Sequence, residues 1–88
     1  MSRRDEDFRC KVYVGNLVER PDKREIEREF EYFGKLKNVW IARNPPGFAY
    51  IEYYNRRDAL DAVDDLDGFK FDGRRCRVEM AKGPRKSG

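Results

Sequence analysis

Apolar and polar residues alternate along four segments of the chain, and this pattern predicts four β-strands that are each apolar on one face. The segments are 11–17, 36–43, 48–54 and 75–80. In the third segment, Ala49, Ile51 and Tyr53 should face one side, and Phe48, Tyr50 and Glu52 the other. The first set suits a core, whereas two aromatic rings in the second set need another explanation.

The segment from Asp22 to Phe33 predicts an amphipathic helix, because apolar residues recur at i, i+4 and i+7. We expect Asp22 to cap the start of this helix, with Glu25 completing a capping box. We expect Gly34 to end it in a left-handed backbone conformation.

A second helix is expected after Asn55, which can cap it, and Gly68 should close it. Its apolar positions are Ala59, Ala62, Val63 and Leu66. Residues 69–71 suggest a short strand before the Asp72-Gly73 turn. The last long strand should direct Cys76, Val78 and Met80 inward, and Arg75, Arg77 and Glu79 outward.

The resulting order, β-α-β-β-α-β, predicts an α+β fold of the split βαβ (ferredoxin-like) type. We expect a four-stranded antiparallel sheet in the order 4-1-3-2, with both helices on one face. Residues 10–82 should form this domain. Residues 1–9 are expected to be a flexible N-terminal arm, and 83–88 a basic tail.

Composition limits the chain to one small, highly charged domain of 88 residues. Charged residues make up 42% and aromatic residues 14%, with a net charge of +3, which permits a polyanionic partner without requiring one. Two cysteines are too few for a disulfide framework or a zinc site. Cys10 and Cys76 are expected to be free thiols, because antiparallel pairing of the first and last strands places Cys10 near Met80, too far from Cys76 for a bridge. No apolar run predicts a membrane span, and no cofactor or metal is expected.

Four aromatic residues should share the face of the sheet that the helices leave open. They are Tyr13, Trp40, Phe48 and Tyr50. An exposed apolar patch of this kind usually marks an interaction site. Flat rings beside cationic side chains suit single-stranded nucleic acid, whose bases stack on the rings while cations meet the phosphates.

Two stretches resemble the signature motifs of the RNA recognition motif. Residues 12–17, VYVGNL, are similar to its RNP2 hexamer, and residues 46–53, PGFAYIEY, to its RNP1 octamer. Residues 39–49, VWIARNPPGFA, narrow the resemblance to the SR-protein splicing factors, in particular the SRp20/9G8 group. This resemblance implies a nuclear protein that regulates pre-mRNA splicing through short, pyrimidine-containing RNA sites. It also implies mRNA export, shuttling to the cytoplasm, and splicing or export proteins as partners. Members of the family continue into an Arg/Ser-rich region, so the basic tail 83–88 either leads towards such a region or belongs to a protein without one.

Stacking on bases and sugars is assigned to Tyr13, Trp40, Phe48 and Tyr50, with Ala42 leaving room for a base. Glu79 can accept a hydrogen bond from an exocyclic amine, although a salt bridge to Lys11 or Arg77 is the alternative. Candidate phosphate contacts are Lys11, Arg43, Arg75, Arg77 and Lys82. The backbone groups of Ala81 and Lys82 are candidates for reading a base edge.

The chain departs from the common family pattern at two places. Pro46 stands where RNP1 usually has a basic residue that meets a phosphate, and Tyr50 stands where phenylalanine is common. The proline is shared by the SRp20/9G8 group, so it lowers the expected affinity rather than the strength of the resemblance.

Two other classes of function were weighed. An RRM-like module can bind a peptide through its helical face, but such modules usually lose the sheet aromatics and carry an Arg-x-Phe loop, which Phe69-Lys70-Phe71 matches only in part. An enzyme is not expected, because the chain has no histidine, no P-loop and no nucleophile–base arrangement. We expect a monomer that binds single-stranded RNA.

Overall fold

The computed structural model describes residues 10–81, which form two helices, a four-stranded sheet and a short hairpin. The elements are β1 (Lys11–Gly15), α1 (Lys23–Glu31), β2 (Leu36–Ile41), β3 (Ala49–Tyr53), α2 (Arg56–Leu66), β4 (Lys70–Phe71), β5 (Arg74–Arg75) and β6 (Arg77–Met80). The expected N-terminal arm, Lys82 and the expected basic tail lie outside the described residues.

The main sheet has the strand order β2-β3-β1-β6, and every neighbouring pair is antiparallel. Because β6 is the fourth strand of this sheet, the observed order is the predicted order 4-1-3-2. The split βαβ fold is therefore confirmed, with the two motif-bearing strands at the centre.

Both helices begin where the sequence predicts. The Asp22 carboxylate accepts hydrogen bonds from the backbone N–H groups of Arg24 and Glu25, and the Asn55 side chain accepts one from that of Arg57. Gly68 follows α2 with a φ of +89°, a conformation that favours glycine, so it closes the helix as predicted.

The core lies between the helices and one face of the sheet. Its buried side chains from the sheet include Val12, Val14, Ile51, Tyr53 and Val78, and those from the helices include Ile26, Phe30, Ala59, Ala62 and Leu66. These sheet residues all belong to the set predicted to face inward. The alternation of apolar residues therefore identified the covered face of the sheet.

The end of α1 differs from the prediction. Gly34 is not among the residues with positive φ, so it does not end the helix through a left-handed conformation. A Cβ atom at this position would instead collide with the carboxylate of Asp58 in the first turn of α2. Gly34 therefore leaves room for the side chain of Asp58 at this point.

The predicted strand 75–80 is interrupted at Cys76. Its backbone N–H donates to the carbonyl of Phe69, and its carbonyl accepts from the N–H of Gly68, each at 2.9 Å. Arg75 therefore belongs to the β4–β5 hairpin, where it pairs with Lys70, and not to the main sheet. Only Arg77–Met80 continues as the edge strand.

Cys10 and Cys76 are both buried, and no disulfide joins them. Burial raises the pKa of the Cys76 thiol from its ordinary value of 9.0 to about 11. Within residues 10–81, neither helix is long and apolar enough to cross a membrane.

Candidate nucleic-acid interface

The strand register brings side chains from all four strands into one row on the face opposite the helices. Tyr50 on β3 lies directly opposite Tyr13 on β1 and Trp40 on β2, and Tyr13 lies opposite Glu79 on β6. Residues directly opposite each other in a sheet point to the same face. Trp40 is 51% exposed, although it is the largest apolar side chain of the row.

The aromatic side chains of this face form one continuous patch. The ring centroids of Tyr13 and Tyr50 are 5.7 Å apart, and those of Trp40 and Tyr50 are 6.1 Å apart with their planes 28° from parallel. The Phe48 ring lies 5.9–6.1 Å from each of the other three. We call these four residues the aromatic patch. Its rings support one another, so a stacked base would meet a surface that is already arranged.

The Tyr13 ring lies along its own strand because Gly15 has no side chain. A Cβ atom at Gly15 would come within 2.6 Å of the Tyr13 hydroxyl and 2.8 Å of its ring. A side chain at residue 15 would therefore displace the Tyr13 ring. The glycine of the RNP2-like stretch therefore has a physical role at this site.

Ala42 leaves less room for a base than the sequence predicts, because it is 4% exposed and lies just beyond β2. Its N–H donates a 3.0 Å hydrogen bond to the carbonyl of Phe48, so the two residues continue the pairing of β2 with β3. Ala42 thus fixes the start of the loop that presents Phe48.

The basic candidates are spread unevenly around the aromatic patch. The Lys11 ammonium lies 5.3 Å from the centre of the Tyr50 ring, close enough for a cation–π interaction. Arg77 is exposed on β6 opposite Gly15, and Arg43 is exposed in the loop after β2. Arg75, in the small hairpin, instead directs a nitrogen to within 3.5 Å of the Gly68 carbonyl.

Glu79 forms no ion pair with Lys11 or Arg77, the two partners weighed from the sequence. It is exposed and lies at the β6 end of the row that contains Tyr13. Its carboxylate is therefore accessible to a base beside Tyr13. Ala81 follows β6, and its backbone N–H already donates to the Lys11 carbonyl at 2.8 Å.

A second row, in which only Lys11 has a predicted role, lies beside the first. Glu52 on β3 is directly opposite Lys11 on β1 and Asn38 on β2. These side chains line a shallow pocket of about 280 Å³ together with Trp40 and Tyr50. The alternation of β3 already placed Glu52 on the open face, but nothing in that pattern indicated its burial.

The fold and its open face define an α+β sandwich with aromatic residues on the central strands of the sheet. A sequence model of the RNA recognition motif matches residues 12–77, so the chain belongs to the RNA recognition motif family. The Mip6 RRM3 domain shares the fold, with a TM-score of 0.78 over 86% of this chain and 96% of that one. Its sequence is 24% identical, so this likeness concerns the fold alone.

Curated relatives narrow the comparison to splicing factors. The chain is 55% identical over 78 residues to human serine/arginine-rich splicing factor 3, covering 89% of this chain and 48% of that protein. It is 56% identical over 80 residues to RNA-binding protein 1 of Drosophila melanogaster, covering 91% and 56%. The chain thus spans about half the length of these relatives. Their names describe splicing factors and RNA-binding proteins rather than enzymes, and the resemblance to the RRM of SR-protein splicing factors is confirmed.

Proposed function

We propose that this chain binds short, pyrimidine-containing single-stranded RNA on its open sheet face and acts in the regulation of pre-mRNA splicing in the nucleus. The observation that carries the proposal is the aromatic patch, four touching rings on the face that the helices leave open. Bases stack on such rings with about 1–3 kcal/mol each. Two or three stacks at the upper end of this range give about 6–9 kcal/mol, which corresponds to weak binding with a Kd of about 0.3–40 μM.

The splicing role rests on the relatives, whose names include serine/arginine-rich splicing factors 3 and 7. Since the chain covers about half or less of their length, this role is a proposal for the present domain. We extend it to mRNA export with shuttling to the cytoplasm, to splicing and export proteins as partners, and to a monomeric state. These extensions rest on the family resemblance alone.

The structure gives the peptide-binding alternative less support. The phenylalanine that would anchor a partner, Phe71, is 1% exposed and stacks on Phe30 with ring centroids 6.2 Å apart. The groove of about 360 Å³ between α1 and β2 is lined mainly by charged side chains of both signs, such as Glu27 and Lys37. Neither the buried Phe71 nor this charged groove provides an accessible apolar site, and most of the binding energy of a protein interface usually comes from such a site.

Titration with random short RNAs, followed by NMR mapping with the best binder, tests the proposal. We expect the largest chemical-shift changes at Tyr13, Trp40 and Phe48, together with a change in the fluorescence of Trp40, the single tryptophan of the chain. Shift changes confined to α1 would favour the peptide-binding alternative. An absence of any response to RNA would refute the proposed function.

A further inference from the structure

Glu52 is a buried carboxylate with no protein donor. It is 8% exposed, and within residues 10–81 its side chain forms no hydrogen bond or ion pair, although its backbone is paired with both neighbouring strands. Buried polar groups nearly always have a hydrogen-bond partner, because losing water without gaining one is costly. A carboxylate left in this state on a binding face has its acceptor oxygens available to a ligand.

The surroundings of Glu52 suit the edge of a nucleobase. Its pocket of about 280 Å³ lies beside Trp40 and Tyr50, on which bases are proposed to stack. Lys11 and Asn38, directly opposite Glu52 on either side, add a cationic donor and an amide. A base stacked on one of these rings could direct its Watson–Crick edge into the pocket.

We propose that this pocket is a base-reading subsite for guanine, with Glu52 as its specificity-determining residue; this inference rests on the proposed RNA binding. Guanine presents two adjacent donors, the ring N1–H and the exocyclic amine, which match the two oxygens of a carboxylate. Its O6 acceptor lies beside them, where the Lys11 ammonium can donate. Uracil presents a single N–H between two carbonyls, which the carboxylate repels.

The test compares three RNA heptamers: seven uridines, the same sequence with a central guanosine, and the same with a central inosine. Inosine is guanosine without the exocyclic amine. We expect the native domain to bind the guanosine heptamer about tenfold more tightly than the inosine heptamer. Trp40 fluorescence should change with all three, because stacking does not need the amine.

In the Glu52→Gln variant, the preference for guanosine over inosine should fall to about twofold or less, while Trp40 fluorescence still responds to the uridine heptamer. The matched control is Asp61→Asn, which removes the charge of an exposed carboxylate on α2. This variant should keep the tenfold preference.

Equal affinity of the native domain for the guanosine and inosine heptamers would overturn the guanine subsite and leave the stacking proposal intact. If the Glu52→Gln variant keeps the tenfold preference for guanosine over inosine, Glu52 does not determine the specificity of the pocket. Loss of all binding and of the Trp40 response in the native domain would instead refute the proposed function, and the subsite with it.

Discussion

The hydroxyl of Tyr53 on β3 donates a 2.7 Å hydrogen bond to the backbone carbonyl of Phe30 on α1. Both residues are fully buried, so this bond joins the centre of the sheet to the helix behind it without exposure to water. Burial, with a smaller contribution from the charge of Asp58, raises the pKa of the Tyr53 hydroxyl, which stays protonated as a donor.

Tyr53→Phe should lower the free energy of unfolding by about 0.5–1.5 kcal/mol, because the ring still fills its site and only the hydrogen bond is lost. Urea denaturation measures the change. RNA affinity should remain the same, since Tyr53 faces the core. A variant as stable as the native protein would show that the bond contributes nothing net.

Trp40→Ala and Phe48→Ala should each weaken RNA binding by about 1–3 kcal/mol, a factor of about 5 to 150, while the domain stays folded. Fluorescence anisotropy with a labelled short RNA measures the affinity, and circular dichroism checks the fold. Tyr32→Ala is the matched control, because Tyr32 is a strongly exposed aromatic residue at the end of α1. Native affinity in both sheet variants would rule out stacking.

Binding should depend only weakly on salt. Within residues 10–81, the basic candidates closest to the open face are Lys11, Arg43 and Arg77. Three phosphate contacts to a single strand give a slope of about −2 in a plot of log affinity against log salt concentration. Arg43→Gln should reduce the magnitude of this salt slope by about 0.7, because one phosphate contact is lost. Arg28→Gln, on α1, is the control and should leave the slope unchanged. A slope near −7 would require about ten contacts and contradict this geometry.

Stability should fall as pH rises from about 9 to about 11, because the unfolded state then releases the Cys76 proton while the folded state retains it. One such group accounts for at most about 1.4 kcal/mol per pH unit. The Cys76→Ala variant should have a lower free energy of unfolding at neutral pH, because a buried side chain is shortened. Between pH 9 and pH 11, however, its free energy of unfolding should fall by less than that of the native protein. Chemical denaturation at successive pH values gives both profiles, and parallel profiles would exclude a contribution from this thiol.

The fold was accessible from sequence because its main signals are local. The alternation through Ala49, Ile51 and Tyr53 reports which face of a strand is buried, and Asp22 and Asn55 mark helix starts by their own hydrogen-bonding chemistry. The same alternation predicts that the four aromatic residues share one face, and their ring contacts agree with it.

The features that sequence missed depend on contacts between distant parts of the chain. Arg75 and Arg77 keep the same alternation, so the break at Cys76 is visible only through its bonds to Phe69 and Gly68. Gly34 is required because a side chain there would overlap that of Asp58, and not because its backbone is left-handed. Glu52 is buried by its cross-strand surroundings, which no pattern within β3 reports.

The spacing of the strands limits how much of a transcript this surface can inspect. Adjacent strands lie about 4.8 Å apart, so the row from Trp40 through Tyr50 to Tyr13 extends roughly 10 Å. That width accommodates only a few nucleotides, and so short a sequence recurs throughout any long RNA. Under the proposed function, we therefore expect selection between RNAs to follow the number of such sites that each one carries rather than any single site.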